Sequence, residues 1–337
     1  MPRWVLYVSL ALVTVANTFN IGADLGSMAA ATHMLLPMPR VMLVVFFALG
    51  MMTLEIVVPY HRYSRVLRWL CLSLVSYLIV MFIVDIKWGE VSTAVLKPEF
   101  TLSKASLAAL IALFGTTISP YLFFWQTSEE VEELQDHGLV TGDGDGATSH
   151  LRAMRGDVVA GMSSGVLVMF AIMVTSAATL GKAGITSVTT AEQAAMALEP
   201  LAGSAAKLLF TMGILGTGLL AVPVLAGSTS YALAETFGWR EGLGLKMSQA
   251  KAFYAVIVAS MTMGMVMNMV GTNPVRMLYW AAILNGLAAP PLIVVILFLS
   301  RRHNLLGHHV SGWFSSILVG LAALLSAALP LFYVFAN

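Results

Sequence analysis

The chain has 337 residues, of which 58% are hydrophobic and only 10% are charged, and its mean hydropathy is +0.85. Soluble domains carry roughly 25% charged residues, so this composition excludes an ordinary soluble protein and specifies an all-α polytopic membrane protein. A net charge of +1 without a basic stripe or interleaved aromatics excludes nucleic acid as a partner, and the single cysteine, Cys71, excludes an internal disulfide or a multi-cysteine metal site.

Apolar stretches near the roughly 20 residues that a bilayer requires predict about nine transmembrane helices. They fall at 4–36, 40–58, 66–86, 105–135, 157–180, 204–233, 251–270, 276–298 and 312–335, in a single membrane domain over 1–337. The runs are continuous instead of alternating, which excludes barrel strands. The first and fourth are long enough to tilt or break. Within the first, Asp24 sits in a run of small residues from Gly22 to Ala31. A carboxylate at that depth costs roughly 2.5–3.5 kcal/mol unless it meets water or a partner, so Asp24 is a functional candidate. The structural alternative is a cap on a backbone irregularity beside Gly22 and Gly26. Asn17 and Asn20 either share that hydrated face or bond across to another helix.

The fourth span holds the most informative feature, Gly115-Thr116-Thr117-Ile118-Ser119-Pro120-Tyr121. Pro120 has no N–H and clashes with the preceding turn, so the carbonyls of Thr116 and Thr117 lose their donors where no water is at hand. They must face protein or a hydrated cavity. A half-helix ending there points its negative dipole end and bare carbonyls inward, the arrangement with which secondary transporters hold cations; the alternative is a packing kink. Beyond it, Glu129, Glu130, Glu132 and Glu133 lie on the order of 14–20 Å from Pro120 at about 1.5 Å per residue, too far to ligate anything at the break. With Gln126 and Asp24, Glu129 and Glu130 are candidates for lining an ion path, against the alternative of a solvated helix end.

Residues 138–150 resemble a calcium loop at Asp143, Asp145 and Gly146 but lack its third aspartate and terminal glutamate, which predicts a solvated linker. Residues 186–203 have helical spacing of Ala191, Ala194, Ala195 and Leu198, and predict a short external helix lying over the bundle. The small residues from Gly213 to Ser230 predict close packing, and the 21 methionines apolar filling. Asn285, followed by Gly286 and Pro290-Pro291, is a neutral oxygen donor at membrane depth, equally suited to a ligand and to an interhelical hydrogen bond. His33, His303, His308 and His309 do not form a zinc set, and no phosphate loop or nucleophile elbow is present, so neither enzymatic chemistry nor a resident cofactor is expected. Arg62, Arg65 and Arg68, then Arg240, Lys246 and Lys251, then Arg301 and Arg302 fall on one side if every span crosses. The positive-inside rule makes that side, and Met1 with it, cytoplasmic.

The runs Asn17 to Ala30, Gly115 to Tyr121 and Pro223 to Ser228 resemble the Nramp family of divalent-metal transporters, and within it the Nramp-related magnesium transporters. The resemblance implies a leucine-transporter-like inverted-repeat fold in a bacterial inner membrane. Residue 1 would match the start of the family's third helix, so that the chain corresponds to helices three to eleven, with a misassigned start as the simplest explanation. The metal-binding aspartate of the family's first helix then has no counterpart here. The sixth-helix half of the site maps to Ser119, Pro120 and Tyr121, where the family usually has Met-Pro-His. Thr116 matches a position whose carbonyl can face the metal, and Asn285 falls near the tenth-helix polar residue. A thioether selects softer metals, whereas hydroxyl and carbonyl oxygens suit Mg²⁺, with Mn²⁺ next. Ser27 and Tyr121 replace two titratable family residues, which implies uptake without obligatory proton coupling. The rivals are proton-coupled Mn²⁺/Fe²⁺ symport and a shortened, non-transporting remnant or interaction subunit.

Overall fold

The computed structural model describes residues 3–58, 65, 69–97, 103–136, 145–185 and 187–335. Arg62, Arg68, Glu99 and Asp143 lie outside the described residues, as does most of the 138–150 linker. Among the described residues the fold is wholly helical. Its long elements are α1 (Arg3–His33), α2 (Arg40–Val57), α3 (Val75–Ile83), α4 (Trp88–Leu96), α5 (Lys104–Ile118), α6 (Tyr121–Asp136) and α7 (Asp145–Ser176). They continue as α8 (Ala206–Phe237), α9 (Lys251–Met269), α10 (Pro274–Ser300) and α11 (Trp313–Phe335). Among the described residues eight helices are long and apolar enough to cross a membrane, or nine if one bent pair counts as a span.

That bent pair takes in the span expected over 66–86: a 3₁₀ turn, Leu70–Leu74, leads into α3, and beyond the expected span α4 folds away at 110°. The external segment predicted as one helix is instead a run of single turns, Ala191–Ala195, Met196–Leu198, Glu199–Ala202 and Gly203–Ala205. Thr190 opens it with a capping box to Gln193, while Gly203, at φ 49°, ends the last α-turn. It still lies over the bundle, with Ala195, Ala197 and Leu198 buried.

Local chemistry sets the helix ends. Asn273 accepts the N–H groups of Val275 and Arg276 and is followed by Pro274 at the first helical position, so α10 starts there. Gly238, at φ 68°, stops α8 in the left-handed conformation. Prolines inside α8, α10 and α11 leave those helices continuous. Among the described prolines within spans, Pro120 alone coincides with a full interruption: α5 ends at Ile118 and α6 restarts at Tyr121, within one apolar span from Lys104 to Glu132.

The core is built where glycines let backbones touch. α1 packs against α10, α8, α9 and α2. Gly22 of α1 meets Gly264 of α9, and the Asn268 side chain donates to the Gly22 carbonyl at 2.6 Å. On the other side of the bundle, Gly115 of α5 faces the backbone of α10, where an added Cβ would overlap the Ala282 carbonyl oxygen and stand 2.5 Å from the Gly286 nitrogen. Without lipid-to-protein hydrophobic transfer to drive assembly, such backbone contact supplies the dispersion energy that holds membrane helices together. Gly115→Ala therefore forces α5 off α10 and is expected to lower stability by about 1–3 kcal/mol, the usual cost of overpacking. Gly161→Ala on α7, where nothing lies within 4 Å, leaves it nearly unchanged. Thermal unfolding of the two variants in detergent measures the contrast.

Candidate functional site

Pro120 removes one donor, and the neighbouring side chains respond. Ser119 takes φ 25° and ψ 83°, and it is the one non-glycine residue with positive φ among those described. Holding a serine there costs on the order of 1–3 kcal/mol and needs support from the surroundings. The Ser119 hydroxyl donates to the Thr116 carbonyl at 2.7 Å, and Ser119 N–H still reaches Gly115 at 3.3 Å. The main-chain ladder resumes with Leu122 and Phe123 donating to Ser119 and Pro120, which leaves the Thr117 and Ile118 carbonyls beside the gap. From α8, the Ser228 hydroxyl donates to the Tyr121 carbonyl at 2.7 Å. Beside it, Gly227 gives room to the Trp125 ring.

The expectation of a bare Thr116 carbonyl is corrected by this geometry, because Ser119 caps it. A carbonyl has a second lone pair, so the cap does not exhaust its capacity. The Thr116 hydroxyl faces an exposed position and donates back to Leu113 at 2.9 Å, and the Thr117 hydroxyl also bonds Leu113. Both threonine side chains thus serve the last turn of α5.

Asp24 lies in an unbroken stretch of α1, so there is no backbone irregularity for it to cap. It is half-buried, and its carboxylate is close enough to the Tyr121 hydroxyl for their charges to interact; Tyr121 is also within hydrogen-bonding reach of Ser119. Ser119 and Tyr121 flank the break, Tyr121 packs against the core cluster that holds Ile21 and Leu25 of α1, and Asp24 lies within electrostatic range of it. Asn285 is buried on α10 next to Gly286, whose backbone abuts Ile111 and Gly115, and its side-chain oxygen has no hydrogen-bond partner. Of its two expected roles, the oxygen does not act as an interhelical acceptor here. Asn17 does bond across, donating to the Leu225 carbonyl and the Thr229 hydroxyl at 3.3 and 3.0 Å.

At the cap end of the bundle, a cavity of about 380 Å³ extends from the cap segment down to Ser27, one turn from Asp24. Its wall includes Tyr77, Phe210 and Asn273, and an Arg40–Glu192 ion pair at 3.3 Å ties the cap to the start of α2. At the other end of the span, Gln126 is exposed, and Glu129 and Glu130 are half-buried. Sequence reasoning missed how firmly this acidic end is built in. The Tyr231 hydroxyl donates to Glu132 at 2.6 Å and accepts the Leu243 N–H at 3.2 Å, while the Tyr254 hydroxyl donates to the Leu245 carbonyl at 2.8 Å. Ser128 donates to Glu235. The adjacent Glu55 has both carboxylate oxygens buried and unpartnered. In the loop after α8, burial, followed by the negative charges of Glu235 and Glu132, pushes the Glu241 carboxyl up to about 7. A tyrosine on α8 placed to meet a glutamate on α6 leaves no periodic signal in the sequence.

A bundle of long apolar helices, one of them interrupted at a serine-proline pair, defines an integral multi-pass membrane protein. The sequence profile of the Nramp family (Natural resistance-associated macrophage protein-like) matches residues 1–336, and the chain belongs to that family. It is 26% identical over 245 residues to a protein of Clostridium acetobutylicum named divalent metal cation transporter MntH, covering 72% of this chain and 52% of that protein. Proteins of the same name from Caldanaerobacter subterraneus and Vibrio campbellii are 24% and 27% identical, over 67% and 55% of this chain and 53% and 40% of theirs. The chain thus spans about half the length of the first two.

Two measurements check the acidic end. Tyr231→Phe strips Glu132 of a charge-assisted hydrogen bond and is expected to cost about 1.5–3 kcal/mol, read as a lower melting temperature. Because the folded state holds the Glu241 proton more tightly than an unfolded chain does, the neutral form's contribution is intact below about 4.5 and lost as pH rises through about 7. Glu241→Gln should therefore match the native protein near pH 4.5 and melt higher than it above pH 7, by a modest margin because Glu241 is only half-buried.

Proposed function

We propose that this protein carries a divalent metal cation through the bilayer at the α5–α6 interruption, with Mg²⁺ as the main cargo and Mn²⁺ as a second. The observation that carries this reading is the juxtaposition of Ser119 and Tyr121 at the break with Asp24 of α1. Thr116, Ser119, Tyr121 and Asn285 supply oxygens for the ion, and Asp24, Gln126, Glu129 and Glu130 line its way. The naming of the relatives as divalent metal cation transporters supports the cargo class.

The donor chemistry favours a hard ion. Among the described residues no group of three His, Cys, Asp or Glu side chains is placed to hold a metal. Hydroxyl, amide and main-chain oxygens around one carboxylate suit a cation that keeps much of its water shell, as Mg²⁺ does. The half-helix α5 turns its carbonyl end toward that position, where the helix dipole stabilises positive charge. No coupling ion is required: an inside-negative potential of 100 mV gives a divalent cation about 4.6 kcal/mol toward the cytoplasm. With the basic loops inside, Met1 faces the cytoplasm and the cavity at Ser27 opens outward.

Purified protein in liposomes, loaded with a Mg²⁺-sensitive dye and clamped at a negative potential, tests the proposal. Mg²⁺ influx is expected to rise with the potential and to fall at least tenfold in Asp24→Asn. Ser119→Met, which places a thioether at the break, should shift preference toward Mn²⁺ and Cd²⁺. An unchanged preference would remove Ser119 from the site. Acidification of the lumen in step with metal entry would replace this reading with proton-coupled symport, and absence of any metal flux would favour a non-transporting subunit.

A further inference from the structure

On the lipid-facing side of α10, a second feature stands apart from the ion site. Pro290 and Pro291 present two short rings in succession, so the helix surface is shallow there while Val294 and Phe298 project on the turns that follow. Val5 of α1 forms the facing wall, and Arg302 closes the end. The groove they enclose has a volume of about 560 Å³. Its apolar members are open to the surroundings: Phe298 is 70% exposed and Val294 40%.

We propose that this groove binds an anionic phospholipid of the inner leaflet. Its length fits one: the ten residue steps of helix from Pro290 to Ser300 rise about 15 Å at about 1.5 Å per residue, against roughly 15 Å for half of a 30 Å hydrocarbon core. The apolar floor ends where α10 ends, at Ser300, and Arg301 and Arg302 follow at once, both exposed. Among the described residues neither arginine has a carboxylate partner, so both guanidinium groups are available to a phosphate, which they suit by their fork of donors. They belong to the loops whose positive charge marks the cytoplasmic side, the leaflet that carries anionic headgroups. Acyl chains lie along Val294 and Phe298, and the headgroup phosphate sits at Arg302 with Arg301 beside it.

The test uses the full chain in nanodiscs of equal parts phosphatidylglycerol and phosphatidylcholine, released for native mass spectrometry. Retained lipid is expected to be enriched in phosphatidylglycerol, with about a fivefold loss of that preference for each of Arg301→Gln and Arg302→Gln. These side chains are exposed, so the variants should fold, and an unchanged melting temperature in detergent checks it. Val294→Trp, which fills the groove, should lower the number of lipids retained whatever their headgroup. Equal retention of the two lipids by the native chain, or an undiminished preference in the double arginine variant, overturns the proposal. So does a native dimer that Val294→Trp dissociates while leaving lipid retention intact, since that outcome gives the groove to protein.

Discussion

A proline in the middle of a membrane span has no hydrogen to give, and hydrocarbon offers no substitute. Much of what surrounds Pro120 answers that single deficit. Ser119 turns into a left-handed backbone conformation and spends its hydroxyl on Thr116; Ser228 reaches from α8 to the Tyr121 carbonyl; Gly115 lets α5 lean on the backbone of α10. Three other helices contain prolines and stay continuous. The difference at position 120 is the strained residue before it and the cross-helix bond from Ser228 to the Tyr121 carbonyl beside it.

The same economy governs the core. α1 is gripped from several sides through Gly22 against Gly264, Asn268 on a main-chain carbonyl and Asn17 on α8. Its rigid course fixes Asp24 beside Tyr121. In contrast, the most apolar windows of α7 and α11 are only 17% and 11% buried, against 44% for the window that includes α8. α7 and α11 thus present most of their surface to lipid or to further protein.

The acidic end of α6 shows how tertiary contacts change the meaning of a charge cluster. Four glutamates at a helix end look like a solvated tip. Here Glu132 is held by Tyr231, which also receives the loop N–H of Leu243, and the aromatic rings of Trp125, Tyr231, Phe253 and Tyr254 pack edge to face above them. Burial, and after it the negative charges of Glu235 and Glu132, raises the proton affinity of Glu241.

Hydropathy by itself determined the helical class, the positions of the spans and the break at Pro120, because each follows from a local rule: the length of apolar chain a bilayer accepts, and the missing N–H of one residue. Runs of small residues likewise disclosed close packing, though not which helices would meet. Tertiary structure alone decided the rest. That the Asn285 oxygen is left without a partner among the described residues, that α4 folds away from α3 and that Asp24 comes near Tyr121 across nearly a hundred residues all depend on where helices cross. Crossing is set by side-chain shape and backbone approach summed over the whole bundle, and such a sum leaves no periodic trace along the chain.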